Sequence, residues 1–338
     1  MTGWSRTNQL ILDAAARLGC AGEALADVHS DFFVRLRSPE RAVIVSKTRS
    51  PFLTEVAQAL SGNKYVSRAL LAARGIPVVP AIVDDADQTV ARAREALARF
   101  GRVLVKPNWG NRGVGISGPH EQLDAVVRAC AWARSLDRDD EALLEPYLDG
   151  DSLRLTVIGG RFVAAAELTR PVLLGGASPR AQVQAMNRDP HRGDPERDAD
   201  RGLDTIIPEE NIEGLLAVHG LTLDAPAPGG ARIEILSEEA SIVDRTDEIH
   251  DDWRRLAERA CGLLGVDVGG VDLRGPLATV RRPIVAKSDT VVLEVNVSPA
   301  LHLHALPTHG VARPVYEAFV AYCLSLPGAP EPRAVVEV

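Results

Sequence analysis

Apolar residues recur at helical spacing in "TNQLILDAAARLG", residues 7 to 19, and the run stops at a glycine, so the first predicted element is a helix. "AVIVS" at 42 to 46 is a continuous apolar stretch of strand length. Two more helices are predicted in "FLTEVAQALS", ending near Gly62, and "YVSRALLAARG", ending at Gly75, after which the proline-containing "IPVVPAIV" turns extended. The same helix-then-glycine pattern in "QTVARAREALARFG" feeds the strand "RVLVKP". "EQLDAVVRACAWARSL" has the period of an amphipathic helix, "ALLEPYL" reads as a short strand, and "DGDS" has the composition of a turn. In "LRLTVIGGRFVAAAEL" two apolar runs meet at Gly159-Gly160, a hairpin signature. The last third predicts a helix at 250 to 264, strands in "VGGVDLRG" and "TVVLEVNVS", and a closing helix in "ARPVYEAFVAYCLS". No repeat of solenoid period is present.

One segment breaks this rhythm. Residues 185 to 202, "AMNRDPHRGDPERDADRG", hold charge, proline and glycine and almost no apolar residue. Composition favours a solvated loop there, and a long loop inside a compact domain is also the form of an active-site lid.

Composition narrows the class. With 338 residues, 46% hydrophobic and 25% charged, the chain is an ordinary globular protein able to build two or three subdomains. A formal net charge of -8 argues against binding nucleic acid through overall charge, so the arginines act locally. Cys20, Cys130, Cys261 and Cys323 form no CxxC pair and no zinc spacing, and are expected as reduced, mostly buried thiols. "MTGWSRTNQL" lacks the order of a signal peptide and no apolar run approaches the ~20 residues of a membrane span, so the expected location is the cytoplasm, away from membranes.

The candidate chemistry begins at Lys106, which ends an apolar strand and can project its ammonium beyond the sheet. The loop after it, Gly110, Asn111, Arg112, Gly113, Val114, Gly115, can bring backbone N–H groups close to an anion. It matches neither GxxxxGK[ST] nor GxGxxG, and taken alone such a loop is common. A second cluster is Asp272 with Glu294 and Asn296. Residues two apart on a strand share a face, so Glu294 and Asn296 converge, and two carboxylates with a carboxamide are hard ligands suited to Mg²⁺. The bland alternative is a solvated acidic pair, but the flanking "VVL" and "GGV" imply burial, which unpaired carboxylates resist. Glu145 in "LLEPYL" leaves two readings open: a structural strand residue facing outward, or part of a segment that offers its backbone carbonyl and the Leu148 amide to a purine edge.

The order Lys64, Lys106, glycine loop, Glu145, Asp272, Glu294, Asn296 resembles the ATP-grasp superfamily of carboxylate-amine ligases. Within it, the likeness is nearest to the ATP-grasp portion of the cyanophycin synthetases, with glutathione-synthetase-type ligases next. It covers nearly the whole chain, through "SGNKYVSRALLAARGIPVVP", "LLEPYLDGDSLRLTVIGGRFVAAAEL", "NRDPHRG", "GVDL" and "LEVNVSPALHLH". The resemblance implies an α+β ATP-grasp fold in which two α+β subdomains, 63–150 and 151–338, clasp ATP behind a short N-terminal α/β subdomain, 1–62. It places Lys64 and Lys106 on the α- and β-phosphates, Gly110, Gly113 and Gly115 over the triphosphate, and Glu145 and Leu148 at adenine. Asp272, Glu294 and Asn296 would hold Mg²⁺, for which Mn²⁺ can substitute.

The implied reaction is attack of a substrate carboxylate on the γ-phosphate, giving an acylphosphate and ADP, then attack of an amine with loss of phosphate. Phosphoryl transfer asks for positioning and charge neutralisation, so no covalent nucleophile is required. Arg154 and Arg192 are the candidates to steady the acylphosphate, with Asn296 beside them, and the segment around Asn187, Arg188 and Arg192 is the candidate lid against water. Asn187, Ser298, His302 and His304 are the candidate substrate contacts, the two histidines being spaced to share one face of an extended segment. The expected partners are an amino acid or short peptide, and a homodimer is compatible with the reading.

Three departures from the family pattern bear on substrate. Ser152 stands where an acid usually holds the ribose, which leaves Asp151 as the candidate; Glu238-Glu239 replace small residues; and Ala300 replaces a glycine. The sequence ends at Val338 with no Mur-ligase-like half, so a full polymer-making enzyme is not expected. Two rivals stay open: a kinase that stops at phosphoryl transfer, and a nucleotide-binding regulator without turnover. Trp109 and Arg112 either reach the substrate or brace the loop.

Overall fold

Helix Arg6–Arg17 turns Ile11, Ala14 and Ala15 toward the closing helix Val315–Leu324, so the two ends of the chain share one core. The computed structural model describes residues 4–23, 25, 31–110, 112–285 and 288–331, and Asn111 of the glycine loop lies outside the described residues. Beneath these helices is an antiparallel sheet of Ala21–Glu23, Phe33–Arg37 and Ala42–Ser46, whose Val34, Leu36 and Val45 close the same core. The first two of these strands are absent from the sequence reading. Only Phe33–Arg37 alternates clearly, and its apolar face is two residues wide.

The helix expected from Phe52 begins at Glu55, because the Thr54 side chain accepts from the Ala57 N–H and fixes the start there. Asn63 caps the next helix, Lys64–Ala73, in the same way. A four-stranded antiparallel sheet follows in the order Ile82–Asp84, Ala142–Pro146, Val103–Pro107, Ser117–His120. Helices Thr89–Phe100 and Leu123–Ser135 cover one face, packing Ala93, Ala96, Val126 and Ala129 on Val103, Val105, Ala142 and Leu144. Strand alternation sends Leu104, Lys106, Leu143 and Glu145 to the opposite face.

The larger sheet has five antiparallel strands in the order Ser241–Asp244, Arg161–Thr169, Asp151–Ile158, Val268–Gly275, Val291–Asn296. Gly159 and Gly160 turn its central hairpin with φ of 60° and 72°, the paired left-handed geometry of a two-residue loop. Leu153, Leu155, Val157, Val271 and Leu273 pack against Trp253, Leu256, Ala257, Ala260 and Cys261 of helix Asp251–Leu263. The alternate positions Ser152, Arg154, Thr156 and Asp272 form the other face, so the same strands that make the core also display the polar site. Trp253 is fully buried and its indole donates to the Arg282 carbonyl at 3.1 Å. Trp253→Ala is expected to cost about 3–5 kcal/mol in chemical denaturation, and a loss below about 1 kcal/mol would show that this helix does not anchor the sheet.

Between the strands of this sheet lies a segment with a core of its own, Leu173, Val183, Ile212, Leu216 and Ile233. It is built from the pair Val172–Leu174 and Arg232–Glu234 and from helices Pro179–Met186 and Pro208–Val218, none of which the periodicity signalled. Trp132 packs against both this core and that of the four-stranded sheet. The charged stretch 185–202 folds back on itself, with Arg192–Gly193 pairing parallel to Leu203–Asp204. Its polar side chains supply the order that apolar ones supply elsewhere: the Asp198 carboxylate accepts from Asp194 N at 2.8 Å, and Arg201 donates to the Pro190 carbonyl. Cys130, Cys261 and Cys323 are buried, Cys20 is half-buried, and all four are free thiols. No helix among the described residues is long and apolar enough to cross a membrane.

Candidate active site

The polar faces of the two larger sheets meet around two lysines. Lys64 opens its helix, where Lys64, Ser67, Arg68 and Leu71 form the buried stripe, and its ammonium donates to the Gly110 carbonyl at 2.8 Å. Its Nζ lies 4.0 Å from Glu294 Oε2. Lys106 is 4% exposed and sits 3.1 Å from Glu145 Oε1, a carboxylate that also accepts from Arg68. Arg68 Nε donates to the Leu293 carbonyl at 2.7 Å, while its second terminal nitrogen is buried with no partner. Two cations thus share one anion in a dry setting. Burial, and then the Arg68 guanidinium, push the Lys106 ammonium down to about 8.

Across the cleft, Asp272 stands opposite Arg154 on one neighbouring strand and Glu294 on the other. Arg154 holds Asp272 with two donors, the second at 2.8 Å. Asn296 Nδ2 donates to Asp272 Oδ2 and Glu294 Oε1, each at 3.0 Å, so the strand alternation does bring Glu294 and Asn296 to one face. Burial works against the Glu294 charge, but Lys64, Lys106, Asn296 and Arg154 outweigh it and hold the carboxyl down at about 2. Asp272 moves the other way: burial raises it, and the facing Glu294 adds to what Arg154 does not offset.

The donor set suits a cation that brings other ligands with it. Among the described residues no three His, Cys, Asp or Glu side chains cluster tightly enough to hold a metal by themselves. Asp272, Glu294 and Asn296 supply two carboxylates and an amide, a partial shell of hard donors that a divalent cation could complete with other oxygen ligands and water.

The glycine loop leans across the cleft. A Cβ on Gly113 would come within 2.4 Å of the Leu236 carbonyl oxygen, and its φ is +70°, so both space and backbone require glycine there. Trp109 braces this loop: its backbone N–H donates to Asp137 Oδ2 at 2.6 Å and its ring lies 3.2 Å beneath the Arg138 guanidinium. Arg112 sits in the loop with a left-handed φ of 55°.

No protein-family model matches the chain. It is 31% identical over 263 residues to cyanophycin synthetase from Trichormus variabilis, covering 76% of this chain and 28% of that protein. It is 29% identical over 258 residues to the glutathione biosynthesis bifunctional protein of Listeria innocua, covering 73% and 32%. The bifunctional glutathione synthetase of Pasteurella multocida superposes with a TM-score of 0.59 at 23% identity, over 95% of this chain and 44% of that one. This chain has the ATP-grasp fold. It spans about a quarter to a third of the length of the curated relatives it matches. ATP-grasp ligases use ATP and a divalent metal.

Within this fold Glu145 does not face outward. The residue is 2% exposed and its side chain is turned into the cleft, because strand alternation puts it on the face of Lys106. Arg274 donates to the Leu148 carbonyl at 3.0 Å, and the Leu148 amide has no acceptor among the described residues. The Asp151 carboxylate accepts from Leu277 N at 2.7 Å, and Ser152 Oγ from Arg274 at 2.6 Å. Both sides of the Asn187 carboxamide bind the Ile206 backbone at 2.9 Å, and Arg192 donates to the Asp204 carbonyl at 2.6 Å and to that of Glu239. Ser298 Oγ meets Thr48 Oγ1 at 3.2 Å.

The two histidines depart from expectation. Residues His302–Ala305 form a short helix, not an extended segment, so the rings diverge. His304 Nε2 bonds Thr156 Oγ1 at 2.7 Å inside the protein, where burial and then Arg154 lower it to about 3, and His302 Nε2 faces Arg6 at 3.3 Å. Arg68, Asn108 and Arg6 escaped the sequence reading. Arg68 alone left a signal, a charge in the buried i, i+3, i+4, i+7 stripe of its helix. Asn108 accepts from Tyr65 N at 2.9 Å and donates to Glu141 at 2.6 Å, tying the loop to that helix.

Proposed function

We propose that this chain forms an amide or peptide bond by ADP-forming activation of a carboxylate, with an amino acid or short peptide as substrate. One observation carries the reading: two buried lysines face an Asp272–Glu294–Asn296 trio across a single cleft, with Lys64 4.0 Å from Glu294. A polyphosphate needs that arrangement, cations on one side and hard oxygen ligands for Mg²⁺ on the other. Lys64 and Lys106 hold the α- and β-phosphates, the Leu148 amide meets the adenine edge, and Asp272, Glu294 and Asn296 hold the metal, which supplies charge neutralisation at the phosphates when bound. Arg154 steadies the oxygens of the acylphosphate, and the 185–202 segment keeps water from it. The substrate class follows from the names of the relatives, which make cyanophycin and glutathione.

The test is a matrix of amino acids and dipeptides scored for ADP release, followed by the mass of each product. The expected outcome is ADP release that requires both a carboxylate and an amine, with a product mass equal to their sum less water. A stable phosphorylated product formed without amine would replace the reading with a kinase. Nucleotide binding without ADP release from any mixture would replace it with a non-catalytic binder.

A further inference from the structure

Arg6 reaches the site from outside both nucleotide-facing sheets. It starts the first helix and is 3% exposed, although its side-chain partners lie 195, 198 and 296 residues along the chain. Its NH1 donates to the Arg201 carbonyl at 2.8 Å, and its NH2 pairs with Asp204 Oδ1 at 2.5 Å and faces His302 Nε2 at 3.3 Å. Its backbone N–H donates to the Pro195 carbonyl at 2.8 Å. Four contacts from one residue therefore land on the 195–204 stretch and on the helix that follows the metal-side strand. That stretch makes few apolar contacts of its own; Leu203, packed with Ala166, Leu168, Ile242 and Leu303, is its one core residue. A segment ordered mainly by polar bonds opens easily when a central one is removed.

We propose that Arg6 is a positioning residue that latches the 185–204 segment shut over the reacting centre, so that the N-terminal helix controls access of water to the activated carboxylate. The inference rests on the ligase reading above for its consequence, although the latch itself is a matter of geometry. His302 takes part as a neutral acceptor: burial first, then Arg6, keeps the ring uncharged, which leaves its Nε2 lone pair free for the guanidinium. When the latch is open, water attacks the acylphosphate in place of the amine. The acyl–oxygen bond breaks, the free carboxylate and phosphate leave, and ATP is spent with no amide formed.

The experiment compares the full chain with Arg6→Gln and with Asp204→Asn, which breaks the same pair from the lid side. Two quantities are read: the ratio of ADP released to amide formed, and the rate of trypsin cleavage between Arg188 and Arg201, where the Arg197 side chain is 84% exposed. Both variants are expected to raise the uncoupled ADP fraction and the cleavage rate about tenfold, with the KM for ATP nearly unchanged. The double variant should be no worse than either single one. A thermal melt separates this from general unfolding, because only the segment is expected to loosen. Wild-type coupling together with wild-type protection in Arg6→Gln would overturn the latch. If the wild-type chain releases no ADP with any substrate, the ligase reading fails and the trypsin comparison alone decides the latch.

Discussion

Glu294→Ala is expected to lower ADP release by about a thousandfold, since on the proposed reading it would remove a metal ligand and with it about 4 kcal/mol of charge stabilisation at the transferring phosphate. The argument starts from its surroundings. Glu294 is the acid held at about 2, so it stays ionised throughout the working pH range, and it faces Lys64 while Asn296 bridges it to Asp272. The side chain does not pack in the core, whose nearby members are Val292 and Val295, so the thermal transition should shift little. Steady-state ADP release and a melting curve on the same preparation check both halves. Turnover within tenfold of wild type would remove Glu294 from the metal site.

Lys106→Met is expected to weaken ATP binding about 10- to 100-fold, the worth of one charge-assisted contact of 1.5–3 kcal/mol. Methionine keeps the stem, and Arg68 remains to pair with Glu145, so no carboxylate is stranded. A proton gives a sharper signature. The Lys106 ammonium is pushed down to about 8 in the free protein, so above that pH it is largely neutral, and phosphate oxygens would draw a proton back onto it. ATP binding should therefore take up a proton and weaken as pH rises past about 8. Calorimetry at pH 8.5 in two buffers of different ionisation enthalpy measures that uptake, which should vanish in Lys106→Met. Equal uptake in both proteins would assign the proton elsewhere.

The parts legible in the sequence are those whose local pattern has one physical solution. Residues 268–275 and 291–296 carry strand signals, and Glu294 and Asn296 stand two apart on the second, so their spacing alone assigns those two to one face; that Asp272 joins them depends on the pairing of the two strands. Gly159-Gly160 admits little besides a tight hairpin. The histidines misled because "LHLH" alternates like a strand, and four residues are too few to separate period 2 from a single helical turn. Glu145 leaves two readings open in the sequence because its short strand does not show which face is buried; the partner that neutralises it there, Arg68, lies 77 positions away on another element. Arg6 is the extreme case. Nothing around it in the first helix signals a partner near residue 204 or 302, and only the meeting of the chain ends over one core brings them together.

The buried Lys106–Glu145–Arg68 group carries one more positive charge than negative before any ligand arrives. Removing such charges from water is costly, and that cost falls on folding, whether or not nucleotide is present. On the proposed reading such a cradle is preorganised: phosphates bound there would meet cations already stripped of solvent and need not pull them out of it. Stability and nucleotide affinity therefore oppose each other at these positions. On that reading, selection for a sturdier empty protein would act against the same side chains that selection for tight nucleotide binding would retain.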